Sequence, residues 1–270
     1  RLFRVTGVQT CALPISGHSG PGGPERSLAS ASLVGRGTTS SAQFELSGKT
    51  GTQQPVRLTA NGGWRDGAWR GVLQLAEAGM PFDLRLLQPA PVTLSLTEVR
   101  FGPAEFQLLG THFSEFELDR AEGLWHTTGR FDGLHPQALD AQARAPRRVV
   151  RTGAGDRVPL TLAGRWDLGL RDSVTGIAVI ERTGGDLYSG IDALNPIGIS
   201  DVGAALNVLS NRVTGNVYVR GRALGSIDAA IDAFIDPAFS GGRVLAQDRP
   251  FQIVVNASLP DLSWIGPLIG

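Results

Sequence analysis

The chain has one cysteine, Cys11, and one lysine, Lys49, among its 270 residues. A single thiol closes no disulfide within the chain and builds no thiolate metal centre. A near-absence of cysteine fits any compartment and suits an oxidising one that needs no staples. No stretch approaches the roughly 18 to 20 uninterrupted apolar residues of a membrane helix, so these residues are not expected to span a bilayer as helices. Charge of one sign is also lacking, since 25 basic residues balance 25 acidic ones. No basic stripe stands out, and nucleic acid is not expected as a partner. The densest basic run, RAPRRVVR at 144–151, reads as a solvated loop. What remains is ample for a sizeable core, in one large domain or two small ones.

The stretch that holds the cysteine, VTGVQTCALPIS at 5–16, follows neither a period of 2 nor one of 3.6, and Pro14 interrupts it. Thr6, Gln9 and Thr10 make it too polar for a secretory leader. It resembles the in-frame translation of a sequencing-library adaptor. Residues 1–16 are therefore set aside from fold reasoning, and the only thiol goes with them. The missing initiator methionine, and an end at Gly270 just after a structured-looking motif, lead us to expect a fragment of a longer protein.

Residues 17–41 are rich in Gly, Ser, Pro and Thr and are expected to be poorly ordered, with one weak strand around Leu33. From 42 to 270 the pattern changes to alternation of apolar and polar residues: FELSG at 44–48, VRLTANG at 56–62, VLQL at 72–75, FDLRL at 82–86, VTLSLTEV at 92–99 and FSEFEL at 113–118. Asp66-Gly67, flanked by Trp64 and Trp69, has the chemistry of a two-residue type I′ turn and should join 56–64 to 69–75 as a hairpin. Further strands are expected at 124–131, 158–168, 174–182, 202–209, 213–220, 226–235 and 251–259. The whole reads as all-β, with short helices at most at 136–145 and 261–268.

IDAAIDAFID at 227–236 admits two readings. As a helix it stacks Asp228, Asp232 and Asp236 at four-residue spacing, where like charges repel. As a strand it places Ile227, Ala229, Ile231, Ala233 and Ile235 on one side, and the strand is chosen.

Chemistry is sought and not found. GHSGP at 17–21 lacks the final glycine of a nucleophile elbow and no apolar strand leads into it. Asp228 and Asp236 would stand about 26 Å apart along a strand, too far for one ion. His18, His112, His126 and His135 show no metal-ligand spacing. The glycines follow no phosphate-binding pattern. No catalytic residue, metal or cofactor is expected, and the chain does not read as an enzyme. The strands instead describe sheets greasy on one side and wet on the other. Period alone leaves open whether the greasy side is closed core or an open groove for an apolar ligand.

The arrangement LTANGGWRDGAWRGVLQL (58–75), FDLRLLQPAPVTLS (82–95), EGLWHTTGRFDGL (122–134), LTLAGRWDLGL (160–170), VTGNVYVRGRALGSIDAAI (213–231) and SLPDLSWIGPLIG (258–270) resembles the TamB family of translocation and assembly module proteins, with AsmA-like relatives. The resemblance covers about residues 42–270, with Ile265 standing where leucine is expected. It implies an elongated curved sheet, the β-taco half-pipe with an apolar groove, in a periplasmic protein of Gram-negative bacteria. An N-terminal anchor missing here would hold it in the inner membrane, with an outer-membrane barrel of the TamA type as partner. Its implied work is to conduct phospholipid acyl chains between the membranes, to assist outer-membrane protein assembly, or both. On that reading Val92, Leu94, Leu96, Val217, Val219, Ile227, Ile231, Ile235, Phe251, Ile253 and Val255 line the groove. Two rivals make different demands: an adhesive β-solenoid of the autotransporter-passenger kind requires regular repeats of about 20 to 30 residues, and an outer-membrane barrel requires aromatic girdles.

Overall fold

The computed structural model describes residues 28–50, 53–79, 83–136, 158–189, 195–222, 224–236, 245–246 and 249–260. The expected helix at 136–145, apart from Pro136, and the one at 261–268 lie outside them, as do the adaptor-like residues and the basic run. The fold is all-β. The chain divides into two units, the first running to Trp125 and the second beginning at His126.

In the first unit the described strands are β1 (Leu28–Thr38), β2 (Ser41–Thr50), β3 (Pro55–Arg65), β4 (Ala68–Ala78), β5 (Leu84–Leu86), β6 (Ala90–Leu94), β7 (Glu98–Leu108) and β8 (Thr111–Ala121). They run in the order β1-β2-β3-β4-β5-β7-β8, with β6 bonded to both β4 and β7. Every pairing whose register is resolved is antiparallel. Asp66 and Gly67 take φ of 51° and 77°, as a type I′ turn demands, and Trp64 faces Trp69 across the hairpin. A small closed core of Leu86, Ala90 and Ala104 is ringed by Leu73, Phe101, Phe106 and Phe116.

The second unit holds β9 (Leu124–Leu134, which starts at the end of the first), β10 (Thr161–Leu170), β11 (Val174–Gly184), β14 (Ile199–Leu209), β15 (Arg212–Gly221), β16 (Gly225–Phe234) and β17 (Gln252–Ser258) in that sheet order. Between β11 and β14 a two-stranded ribbon pairs β12 (Tyr188–Ser189) with β13 (Asn195–Pro196). IDAAIDAFID is a strand as far as Phe234: β16 pairs along its length with β15 and, from Ser226 to Asp232, with β17.

Two expectations are corrected, and one strand was not anticipated. Residues 28–38 form a full strand, although SASLVGRG has few apolar residues to announce it. Its glycine suits a neighbour instead, since a Cβ at Gly35 would stand 3.2 Å from the Phe44 ring opposite. VTLSLTEV is two strands, because Ser95 turns the chain: its hydroxyl accepts from the N–H of Thr97 (3.3 Å) and Glu98 (2.9 Å), and its own N–H donates to Glu98 O (2.7 Å). The unanticipated strand is FGPAEFQL, which forms most of β7 despite Pro103; that proline lies within the register shift between Phe101 and Ala104, where the ladder does not need its missing N–H.

Several aromatic rings lie flat over glycines of adjacent strands. Trp166 covers Gly129, and its indole N–H donates to Thr127 Oγ1 at 3.2 Å. The atoms nearest to a Cβ at Gly129 would be those of the Trp166 ring, the first two at 2.6 Å. Gly129→Ala is therefore expected to lift the ring, sever that hydrogen bond and destabilise the chain by about 1–2 kcal/mol. In a Trp166→Val background the same change should cost nothing. Urea unfolding of the two single variants and the double variant measures this coupling; equal costs in both backgrounds would refute it.

Candidate functional site

Cross-strand register decides where alternating residues go, because a slip of one residue sends a whole strand's apolar set to the other face. In the second unit the pairings stay in phase apart from shifts near two strand starts, at Thr161/Leu162 and Ile199/Asp201. One row runs Gly164, Ile180, Ala204, Val217, Ala229, Val255 across β10, β11, β14, β15, β16 and β17. The next runs Trp166, Ala178, Leu206, Gly215, Ile231, Ile253. Each row holds only apolar residues and glycine over six strands, a contour of about 24 Å. Beside them Val202, Val219, Ile227 and Ala257 form a shorter row.

Among the described residues the extensive strand contacts are between neighbours in the sheet. The rows are accordingly half-buried rather than closed: Val217, Val219, Ile227 and Ile231 are intermediate in exposure, and on β17 Ile253 and Val255 are 53% and 55% exposed. Closed packing brackets them. Near the Val219–Ile227 pair lie buried Leu160, Ile197, Ile199 and Leu224. Near the opposite strand ends lie buried Val174, Val208 and Val213, with Ile235 against them.

The cluster around Ile197 is fastened by one carboxylate. Asp186 accepts from the backbone N–H of Leu187 (2.8 Å), Gly198 (2.8 Å) and Ile199 (3.0 Å). Next to it Arg182 donates to Gly185 O through Nε and Nη2 and to Ser200 O through Nη1.

The reverse face carries the ion pairs, although Ile177, Val179, Ala205, Ala230 and Val254 lie on it as well. Arg212 grips Asp232 with two hydrogen bonds, which hold the Asp232 carboxyl below the usual carboxylate range and raise Arg212. Arg220 lies 3.5 Å from Asp228 and stacks 5.0 Å from the Tyr218 ring centre. His126 meets Asp167 at 2.7 Å. In the first unit Arg100 pairs with Asp119 (3.1 Å) and Arg57 with Glu77 (3.5 Å). Arg57–Glu77 and Arg100–Asp119 stand directly opposite across strands, and Arg212–Asp232 and Arg220–Asp228 are diagonal neighbours.

The first unit repeats the in-phase pattern. Leu33, Leu46 and Leu58 line up across β1, β2 and β3, and Gly71, Val92 and Phe101 across β4, β6 and β7.

The structure thus brings Val217, Val219, Ile227, Ile231, Ile253 and Val255 onto one face. Phe251 lies just before β17, 69% exposed, and Ile235 lies past the end of β16 in an isolated bridge to Leu245. Val92 and Leu94 sit on the apolar face of the first unit, opposite Gly71 and Trp69. Leu96 does not join them: it occupies the turn between β6 and β7 and is 97% exposed. Sequence reasoning passed over Trp166, Ala178, Ile180, Ala204 and Leu206, whose alternation carries the same signal. Comparison with protein-family models, with curated proteins and with solved structures finds no match.

Proposed function

We propose that the chain is the β-rich part of a TamB-like periplasmic protein that carries phospholipids between inner and outer membranes on its apolar faces. The observation that supports this reading is the in-phase register, which leaves two six-strand apolar rows half-exposed while ion pairs occupy the reverse face. A contiguous apolar surface of this extent is a binding surface. An acyl chain leaving water for it gains about 0.8 kcal/mol per methylene, and the headgroup stays wet at the margin. Rows of similar aliphatic side chains present no deep well, so a chain can slide along them. The antiparallel pairing of successive strands also favours this reading over a solenoid of parallel coils.

On the same reading no residue does covalent chemistry. Support for outer-membrane protein assembly would come through an outer-membrane barrel partner and an inner-membrane anchor. Placing the photo-crosslinker p-benzoylphenylalanine at Val217 or Ile231 should yield phospholipid adducts by mass spectrometry, whereas placing it at Asn216 or Asp228, on the reverse face, should yield few. Equal labelling of both faces would count against the proposal.

A further inference from the structure

Independently of what the apolar faces carry, the geometry points to an anion site on the polar face of the first unit, built to take a phosphate-bearing group. Strands β1 to β4 bring three arginines, Arg36, Arg65 and Arg70, around one hollow, together with Ser41, Gln43 and Asn61. The register explains the convergence: Arg36 stands opposite Gln43, Gln43 opposite Asn61, and Arg70 opposite Gly63.

The surroundings differ from those of the arginines paired across strands. Arg57, Arg100, Arg212 and Arg220 each meet a carboxylate across the ladder. In the hollow the residues opposite the arginines are Gln43, Gly63 and Ala68, and among the described residues neither Arg36 nor Arg65 has an ion-pair partner. Only Arg70 has one, the exposed Asp66 at 3.6 Å. The arginines therefore leave a net positive charge, flanked by neutral hydrogen-bonding side chains.

The hollow is also shaped by the backbone. Gly63, opposite Arg70, contributes no side chain to its floor, whereas the missing side chains of Gly62 and Gly71 face the Trp69 ring on the other side. The turn after β1 closes against Gly63, where Trp64 N–H donates to Thr39 O at 2.7 Å and any Cβ would stand 2.1 Å from Ser40 O. That turn forms one wall. Guanidinium forks match the paired oxygens of a phosphate, and serine, glutamine and asparagine side chains supply further donors. A carboxylate ligand would use fewer of these donors, which is why a phosphate ester fits better.

The phosphate could belong to a soluble ester or to a lipid headgroup, and two probes separate the sources. The full chain is titrated with glycerol 3-phosphate by calorimetry, and its flotation is followed with vesicles of phosphatidylglycerol in phosphatidylcholine. Arg36→Gln/Arg65→Gln is compared with Arg57→Gln/Arg212→Gln, which removes the same charge from paired sites. Binding to either probe should fall at least tenfold in the first pair and stay within twofold in the second. Binding of glycerol phosphate assigns the soluble ester; binding of vesicles alone assigns the headgroup. Absence of binding to both probes, or equal loss in both variant pairs, overturns the site.

Discussion

Replacing Val217 and Ile231 together by aspartate is expected to strip the protein of co-purifying phospholipid while its far-ultraviolet circular dichroism stays that of the wild type. The two residues occupy adjacent rows of the apolar face, Val217 between Ala204 and Ala229 and Ile231 between Gly215 and Ile253. Both are half-exposed, so each new carboxylate keeps part of its hydration and costs the fold only about 1–2 kcal/mol. The penalty falls on the ligand instead. An acyl chain with about eight methylenes on the face gains about 6 kcal/mol. Covering two carboxylates with hydrocarbon costs several kcal/mol for each, enough to cancel that gain. Aspartate at Asn216 and Thr214, on the reverse face, adds the same charge and should leave lipid in place. Folded Val217→Asp/Ile231→Asp protein that retains its phospholipid would sink the conduit proposal.

The second large effect concerns stability. Asp186→Ala removes an acceptor shared by three backbone N–H groups in a partly buried loop, beside buried Ile197 and Ile199. Hydrogen bonds to a charged acceptor contribute about 1.5–3 kcal/mol each in favourable settings, and donors left without a partner add a desolvation cost. Partial exposure and replacement by water lower the sum, so a loss of about 2–4 kcal/mol is expected, a shift of about 1–2 M in the urea midpoint. Asp186→Asn keeps a carbonyl acceptor without the charge and should lose roughly half as much. A midpoint for Asp186→Ala indistinguishable from wild type would show that the ribbon of β12 and β13 does not depend on the carboxylate.

Most of the strands were legible because their alternation is local. Val217 and Val219, or Ile227 and Ile231, declare their common side within a few residues. The choice of strand for 227–236 also followed from local charge, since three aspartates on one helical stripe have no counterpart in the extended form. What was hidden was non-local or chemically quiet. β1 is rich in serine, alanine and glycine and depends on β2 for its partners. Leu96 kept the period of its neighbours while the Ser95 hydroxyl turned the chain. Nothing near Asp186 in the sequence announces Gly198 and Ile199 as its donors. The arginine hollow arises only when Arg36, Gln43 and Asn61 come into register across three strands. The half-open state of the apolar rows is likewise a property of layers, to which a period of two is blind.

The pairing of successive strands through short turns, seen in β2–β3, β3–β4 and β14–β15–β16, bears on how the chain acquires its structure. Each hairpin closes only a short loop, so the entropy spent before the first native contacts form is small. Contacts of low sequence separation favour fast folding, hairpin upon hairpin, in place of a search for distant partners. A chain emerging progressively from a narrow passage could thus assemble in the order in which it appears, each new strand finding its template already laid down. The exposed apolar rows would then be shielded from stray pairing not by speed alone but by the early occupation of every ladder that precedes them.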